Sequence, residues 1–263
     1  MDLGLAGRTA VVAASSQGLG RAIAHELAAE GASVVVCARN EVKLVAAAQE
    51  ITAATGARVV PVVADVSKRA DVTRLAQEAL AAFGHVDIVV TNSGGPTPGT
   101  FESTSPDAWQ AAYDVVLMSA VETIRAFLPS MKARGFGRVL NVTSITAKQP
   151  VENLMLSNAL RAAVTGMARS LANEVAPFGI TVNNLLPGYT RTERLTELAE
   201  VTAAREGSSS ADFYARLERD IPARRLGDPR ELAALAAFLA SERAGYITAQ
   251  SIAVDGGWIR SVF

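Results

Sequence analysis

The sequence predicts a three-layer α/β/α domain built on a doubly wound sheet of seven parallel strands. Three observations carry this. Short apolar runs recur along the whole chain, each followed by a stretch with Ala, Leu, Glu and Arg at helical spacing. The runs are mostly continuous in apolar character rather than alternating, as strands covered on both faces are. Glycines 31, 56, 84, 135 and 179 stand just past the helical stretches, where a left-handed cap favours glycine. With 263 residues and no linker-like segment, the chain is predicted to form one domain over 1–263.

The elements follow in order. Strands are expected at Thr9–Ala14, Ser33–Ala38, Val59–Ala64, Val86–Thr91, Arg138–Thr143, Ile180–Leu186 and Ile247–Val254. Helices are expected at Leu19–Glu30, Glu41–Thr55, Lys68–Phe83, Pro106–Ala133, Glu152–Ala176 and Pro229–Ser241. Pro106 and Pro229 suit a first helical turn, where the missing N–H is not needed. The interval 190–228 is irregular, with charges of both signs and the run Gly207-Ser208-Ser209-Ser210. It reads as short helices in a mobile flap outside the carboxyl ends of the strands, where ligands of this architecture bind, and so as a substrate lid.

Composition narrows the function. Hydrophobic residues are 49% and charged residues 19%, which excludes a disordered chain. A net charge of -1 offers no phosphate-tracking surface, so no nucleic-acid partner is expected. One cysteine and two histidines exclude a disulfide framework and a Cys- or His-rich metal centre, so no metal is expected. The apolar runs are too short to span a bilayer, the first residues do not read as a secretory leader, and a cytoplasmic protein without a membrane partner is expected.

Between the first strand and first helix the chain reads Ala13-Ala14-Ser15-Ser16-Gln17-Gly18-Leu19-Gly20. A glycine-rich turn from strand to helix lets backbone approach a pyrophosphate at the positive helix N-terminus. At the end of the second strand, where an NAD site needs an acid, stand Ala38 and Arg39. An arginine there pairs bidentately with the 2′-phosphate of NADP.

With these residues the chain resembles the short-chain dehydrogenase/reductase family, in the subgroup of the 3-oxoacyl-carrier-protein reductases, and hence a Rossmann-type fold. The family's T-G-x-x-x-G-x-G motif appears without its first glycine, which is Ala14; alanine there costs about 1–2 kcal/mol if φ is positive and little otherwise. Asp65-Val66 resembles the pair that holds the adenine. Thr91-Asn92-Ser93-Gly94 resembles the N-N-A-G stretch, Pro187-Gly188-Tyr189-Thr190-Arg191-Thr192 the loop that holds the nicotinamide carboxamide, and Val254-Asp255-Gly256-Gly257 the C-terminal V-D-G-G. The resemblance implies that NADP(H) meets Ser15, Ser16, Gly18, Leu19, Gly20, Arg39, Asp65, Val66, Asn92, Ser93, Gly94, Pro187, Gly188, Thr190 and Thr192. It also implies a dimer or tetramer, and the small-residue and apolar content of helices 106–133 and 152–176 agrees with that.

The same resemblance implies a catalytic serine, tyrosine and lysine. Ser144 matches the serine. The Y-x-x-x-K pair is replaced by Ser157-Asn158-Ala159-Leu160-Arg161, and the family's helical asparagine falls on Val116. Ser157 thus stands for the tyrosine and Arg161 for the lysine, from where Arg161 would still hold the nicotinamide ribose. A serine hydroxyl is a far weaker acid than a phenol of pKa about 10. Lys148 is either a substitute proton donor or a solvent-facing loop lysine; both readings stand. Tyr189 is read as packing more readily than as facing the pocket, Tyr113 is a further phenol, and His25 and His85 are expected to be non-catalytic. The function expected is an NADP(H)-dependent reduction of a small-molecule carbonyl, or oxidation of its alcohol. The alternative is a dinucleotide-binding protein without dehydrogenase turnover, a sensor or partner subunit.

Overall fold

A computed structural model describes residues 2–262, the side chain of Arg205 apart; Met1 and Phe263, the ends of the expected domain, lie outside the described residues. Seven strands form one parallel sheet: β1 (Thr9–Ala13), β2 (Ser33–Ala38), β3 (Val59–Val63), β4 (Ile88–Thr91), β5 (Gly137–Val142), β6 (Ile180–Pro187) and β7 (Ser251–Val254). Their order is β3-β2-β1-β4-β5-β6-β7. The chain therefore reverses its winding between β1 and β4, and the carboxyl ends of these two strands border the switch point.

The apolar runs are buried from both sides, which is why they do not alternate. Val12, Val34, Val36, Ile88 and Leu140 pack with α1 (Gly18–Ala29), α2 (Glu41–Thr55) and α9 (Pro229–Ala240). Their neighbours Val11, Val35, Val89 and Val139 pack on the other face with α3 (Arg69–Phe83), α5 (Ser119–Arg134) and α6 (Met155–Val175). Leu27, Leu75 and Phe127 are fully covered, each worth about 1.5–3 kcal/mol of burial. Glycines 31, 56, 84, 135 and 179 all have positive φ, as their places past the helix ends predict.

Four boundaries differ from the sequence reading by more than a residue. β4 starts at Ile88 because the Asp87 carboxylate takes the Thr9 amide, a ladder donor. β7 starts at Ser251 because Ala249 is left-handed, with φ 60°, and breaks the extended run. The helix expected from Glu152 starts at Met155, after Asn153 takes φ 59°. The single helix expected over Pro106–Ala133 is divided into α4 (Pro106–Ala112) and α5 by a wide π-helical turn at Tyr113–Met118. The β-branched pair Val115-Val116 sits in that turn, where an α-turn crowds branched side chains. Such turns concentrate at functional sites.

After β6 the irregular interval holds α7 (Glu193–Glu206) and α8 (Ser210–Asp220). Their own small core of Leu195, Ala199, Phe213, Ile221 and Leu226 explains why a charge-rich interval still folds. No helix among the described residues is long and apolar enough to cross a membrane.

Candidate active site

The carboxyl end of β1 turns into α1 at the switch point. Ala14 has φ 49°, so alanine occupies a left-handed position that suits glycine. Gly20 lies directly beneath it: a Cβ there would come within 2.3 Å of the Ala14 carbonyl oxygen. Ser15 is wholly buried; its hydroxyl donates to the Val12 carbonyl and accepts from the Cys37 amide, so its side chain props the turn from behind. Ser16, Gly18 and Leu19 are partly exposed on the cleft side. Gln17 places no side-chain cap on α1, and the first turn holds no acid. The orphan N–H groups there, at the positive end of the helix dipole, have no side-chain cap, with the Glu193 carboxylate beside Gly18, whereas Asn40, Ser105, Thr192, Ser209 and Asp228 cap their own helices.

Beyond β2, Arg39 is exposed and makes no ion pair among the described residues. Asn40 caps α2, and this brings Lys43 round so that its Nζ donates to Gln17 Oε1 at 3.1 Å. Cys37 below is inert: burial pushes its thiol up to about 12. Asp65 Oδ1 accepts from the Ser67 amide and hydroxyl, which fixes its turn, and Val66 packs partly into the core behind α3. Past β4, Asn92 and Ser93 are half-buried, Gly94 is exposed, and the Asn92 amide leans on the Ala14 carbonyl at 3.5 Å.

Past β5, Ser144 is half-buried, and its Oγ accepts from the Thr146 amide at 3.1 Å. The two residues four apart on α6 share a face, as helical spacing requires. Ser157 is buried with its hydroxyl 3.1 Å from that of Thr146, so Thr146 links by backbone and side chain to both serines. Arg161 is buried to 9% exposure and donates through Nη1 to the carbonyls of Thr143 (2.7 Å) and Val142 (3.3 Å). Burial lowers the guanidinium to about 10, which leaves it cationic at neutral pH. Val116 lies in the π-helical turn and, with Arg161, walls a small cavity of about 10 Å³. Lys148 ends the short turn after Ser144 and is exposed, with no hydrogen bond from its ammonium to a described residue.

β6 ends in Pro187, and Gly188 passes so close to Asp255 that a Cβ would meet its Cα at 2.7 Å. Thr190 is buried and bonds the Gly188 carbonyl; Thr192 caps α7 and lies beside Gly18. Tyr189 packs edge-on against Trp258, and burial, with Asp220 nearby, raises its pKa. Tyr113 is 39% exposed on the outer side of its turn. His85 bonds Asp87 at the amino ends of the strands, away from the cleft. His25 lines a cavity of about 860 Å³ between α1, the α7–α8 pair and the start of α9, and Gly18 and Thr192 line it too. No cluster of His, Cys, Asp or Glu among the described residues is suited to a metal ion.

Three contacts escaped the sequence reading. Lys43 reaches Gln17 across the gap between two helix starts, which becomes visible only once α1 and α2 are side by side. Thr146 joins the two serines although nothing in its spacing marks it. Gln149 accepts the Arg260 amide at 2.9 Å and ties the loop after Ser144 to the C-terminal segment, 111 residues away.

A switch-point glycine turn, an open helix start and a serine at the end of β5 define a dinucleotide-dependent α/β scaffold with a reaction cleft beside the cofactor position. Comparison with known proteins agrees. Residues 13–259 match the family described as enoyl-(acyl carrier protein) reductase. The chain is 32% identical to the NADPH-dependent reductase BacG of Bacillus subtilis strain 168, over 97% of this chain and 99% of that one. It superposes with a TM-score of 0.96 on L-sorbose reductase from Gluconobacter frateurii, solved with NADPH and L-sorbose, at 33% identity over the full length of both. A short-chain oxidoreductase of Pseudomonas aeruginosa PAO1, solved with NADPH and described as containing an atypical catalytic centre, gives 0.90 at 33% identity, covering 98% of this chain and 99% of that one. The chain belongs to the short-chain dehydrogenase/reductase family.

Proposed function

We propose that the protein is an NADP(H)-dependent oxidoreductase that reduces a small-molecule carbonyl, 3-oxoacyl-like or another ketone, or oxidises the corresponding alcohol. The observation that carries the cofactor reading is Arg39: an exposed guanidinium with no ion pair among the described residues, at the end of β2, where an acid would select NAD; Lys43, in the first turn of the next helix, is held on Gln17. The open start of α1 suits the diphosphate. Ser16, Gly18 and Leu19 line it, with Ser15 and Gly20 supporting the turn. Asp65 and Val66 border the adenine position, Asn92, Ser93 and Gly94 the ribose side, and Pro187, Gly188, Thr190 and Thr192 the carboxamide side. NADPH, when bound, supplies a hydride.

The chain's own groups then have these tasks. Ser144 orients the substrate oxygen. Arg161 keeps Nη1 on the strand-end carbonyls and turns its remaining N–H groups toward the nicotinamide ribose. The Ser157–Thr146 hydroxyl pair hands a proton from water toward that oxygen, since neither hydroxyl is acidic enough to supply one. Lys148 is the other candidate source. The α7–α8 segment acts as a substrate lid on a single domain. The protein assembles as a dimer or tetramer and works in the cytoplasm.

A second reading, a dinucleotide-binding protein without turnover, is favoured by one observation. Ser157 and Arg161, read from the sequence as replacing the family's phenol and ammonium, are both bonded to the protein itself. The test separates the two: NADPH and NADH affinities are measured by fluorescence, alongside NADPH oxidation against a panel of carbonyls. NADPH binding with turnover establishes the first reading, NADPH binding with no turnover on any carbonyl the second. Equal affinity for both dinucleotides removes the cofactor reading from each.

A further inference from the structure

The segment 148–154 belongs to no strand or helix, yet it joins two candidate groups of the reaction cleft. It leaves the short turn after Ser144 and ends where α6 brings in Ser157. A loop without a ladder must find partners for its backbone elsewhere, and three contacts from outside supply them here. At one end Gln149 Oε1 accepts the Arg260 amide. At the other, Gly99 in the loop after β4 donates to the Asn153 carbonyl at 2.7 Å and accepts from the Met155 amide at 3.2 Å, so the two loops pair like short parallel strands. Between these ends stands Asn158.

The Asn158 side chain meets both backbone groups of Val151. Its Oδ1 accepts from the Val151 amide at 3.1 Å, and its Nδ2 donates to the Val151 carbonyl at 2.9 Å. One carboxamide thus does for this residue what a neighbouring strand does in a sheet. Its base is firm. Asn158 lies in the first turn of α6, next to Ser157, and buried Leu156 and Leu160 pack that helix against Val116 in the π-helical turn. The segment is also strained. Asn153, whose carbonyl Gly99 bonds, holds φ at 59°, a region asparagine tolerates but does not prefer. Strained residues persist where their surroundings over-determine them, and they gather at functional sites.

We propose that Asn158 is a positioning residue: it holds the segment 148–154 as a fixed wall beside Ser144 and Ser157, and so sets which carbonyl substrates fit. The proposal rests on the reductase reading above. Both ends of the Asn158 amide are engaged on Val151, so it acts through the wall and not on the reacting atoms.

The test compares the unmodified full chain with two variants. Asn158→Leu removes both bonds and keeps the branched shape. Asn158→Asp keeps the bond from the Val151 amide and loses the one to its carbonyl. For each, kcat/KM is measured with a small and a bulky ketone drawn from those the unmodified chain reduces, beside NADPH affinity by fluorescence and hydrogen exchange of the 148–154 amides. Asn158→Leu is expected to shift the bulky-to-small ratio of kcat/KM by about tenfold, because small displacements of a pocket wall are felt strongly in the transition state. Asn158→Asp should shift it less, by about two- to threefold, since one of the two bonds remains. Exchange of the segment should quicken in the same order, and NADPH affinity should stay within about twofold. A merely structural role lowers the folded fraction, which scales both ketones alike and leaves their ratio unmoved. An unmoved ratio in Asn158→Leu overturns the proposal, whether or not exchange quickens; if that variant does not fold, Asn158→Asp decides on the same ratio. An unmodified chain that binds NADPH and reduces no ketone is a different result: it removes the reductase reading, and this proposal with it.

Discussion

The two ends of the cleft treat their polar side chains in opposite ways. At the β1–β2 end, the groups proposed to meet the cofactor are open: α1 starts without a side-chain cap, Arg39 makes no ion pair among the described residues, and Lys43 is held only by a neutral amide. At the β5–α6 end, Ser144, Ser157 and Arg161 each make a hydrogen bond within the protein. Ser144 accepts from Thr146, Ser157 pairs with Thr146, and Arg161 is anchored on Thr143 and Val142. Free donors are what a site needs to bind an anion. Groups tied to one another and to strand-end carbonyls hold a packed region in shape. The dinucleotide end is thus built for binding, and the other end for holding its shape.

The largest test of this contrast restores the missing pair. On the proposed alignment, Ser157→Tyr with Arg161→Lys restores the family's phenol and ammonium, and turnover of a generic ketone with NADPH is expected to rise by about 10²-fold, the worth of an added general acid. Ser157→Tyr alone should give less, because the planar guanidinium stays fixed on the strand-end carbonyls. A double variant that binds NADPH and turns over no faster would show that the β5–α6 end lacks more than its acid.

The opposite end is tested by binding. Arg39→Ala is expected to cost NADPH about tenfold in affinity, or about 1.4 kcal/mol, and to leave NADH unchanged. Lys43→Met should take a smaller share, of about two- to fivefold, because an exposed ion pair contributes roughly 0.2–1 kcal/mol. Titrations at two salt concentrations check both, since the loss should shrink as salt screens the pair. An equal loss for NADH would assign these residues to the fold rather than to the 2′-phosphate.

The difference between the ends also decides what the sequence made legible. The strands were readable because both faces are buried, and the glycine caps because each needs positive φ. Arg39 was readable because its position is set by a strand end that composition alone locates. Boundaries failed where one side chain or one dihedral decided them: the Asp87 carboxylate at β4, and left-handed Ala249 and Asn153 at β7 and α6. Ser157 and Arg161 stood out by their place in the sequence, but their partners did not. Thr146 and the strand-end carbonyls receive Ser157 and Arg161 only through packing between segments, and no periodicity encodes that. The π-helical turn is invisible for the same reason, because a continuous helical pattern carries through it.

Lys148 sharpens the comparison with an expected null. Its ammonium is exposed and bonded to no described residue, unlike the three groups around it. Lys148→Met is therefore expected to change turnover by less than about twofold, well short of the roughly 10²-fold loss that removing a general acid brings. A drop of that larger size with NADPH binding unchanged would name Lys148 as the proton donor and would mean that the loop folds inward during the reaction.

A further effect, read as stability, concerns the one strained point at the binding end. Ala14 holds φ at 49°, where an alanine costs roughly 1–2 kcal/mol relative to ordinary backbone. Its conformation is imposed from outside: Gly20 and the Asn92 amide press on its carbonyl, and Ser15 pins the next residue between β1 and β2. Ala14→Gly removes the strain but gives the unfolded chain more freedom, which returns about 0.4–1 kcal/mol. The balance favours the variant by up to about 1.6 kcal/mol, or an increase of up to about 3–6 °C in melting temperature for a chain of this size. NADPH affinity should stay the same, because the turn is already held in its binding shape before the change. Tighter NADPH binding in Ala14→Gly would instead mean that the turn relaxes in the free chain and that alanine taxes cofactor capture rather than the fold.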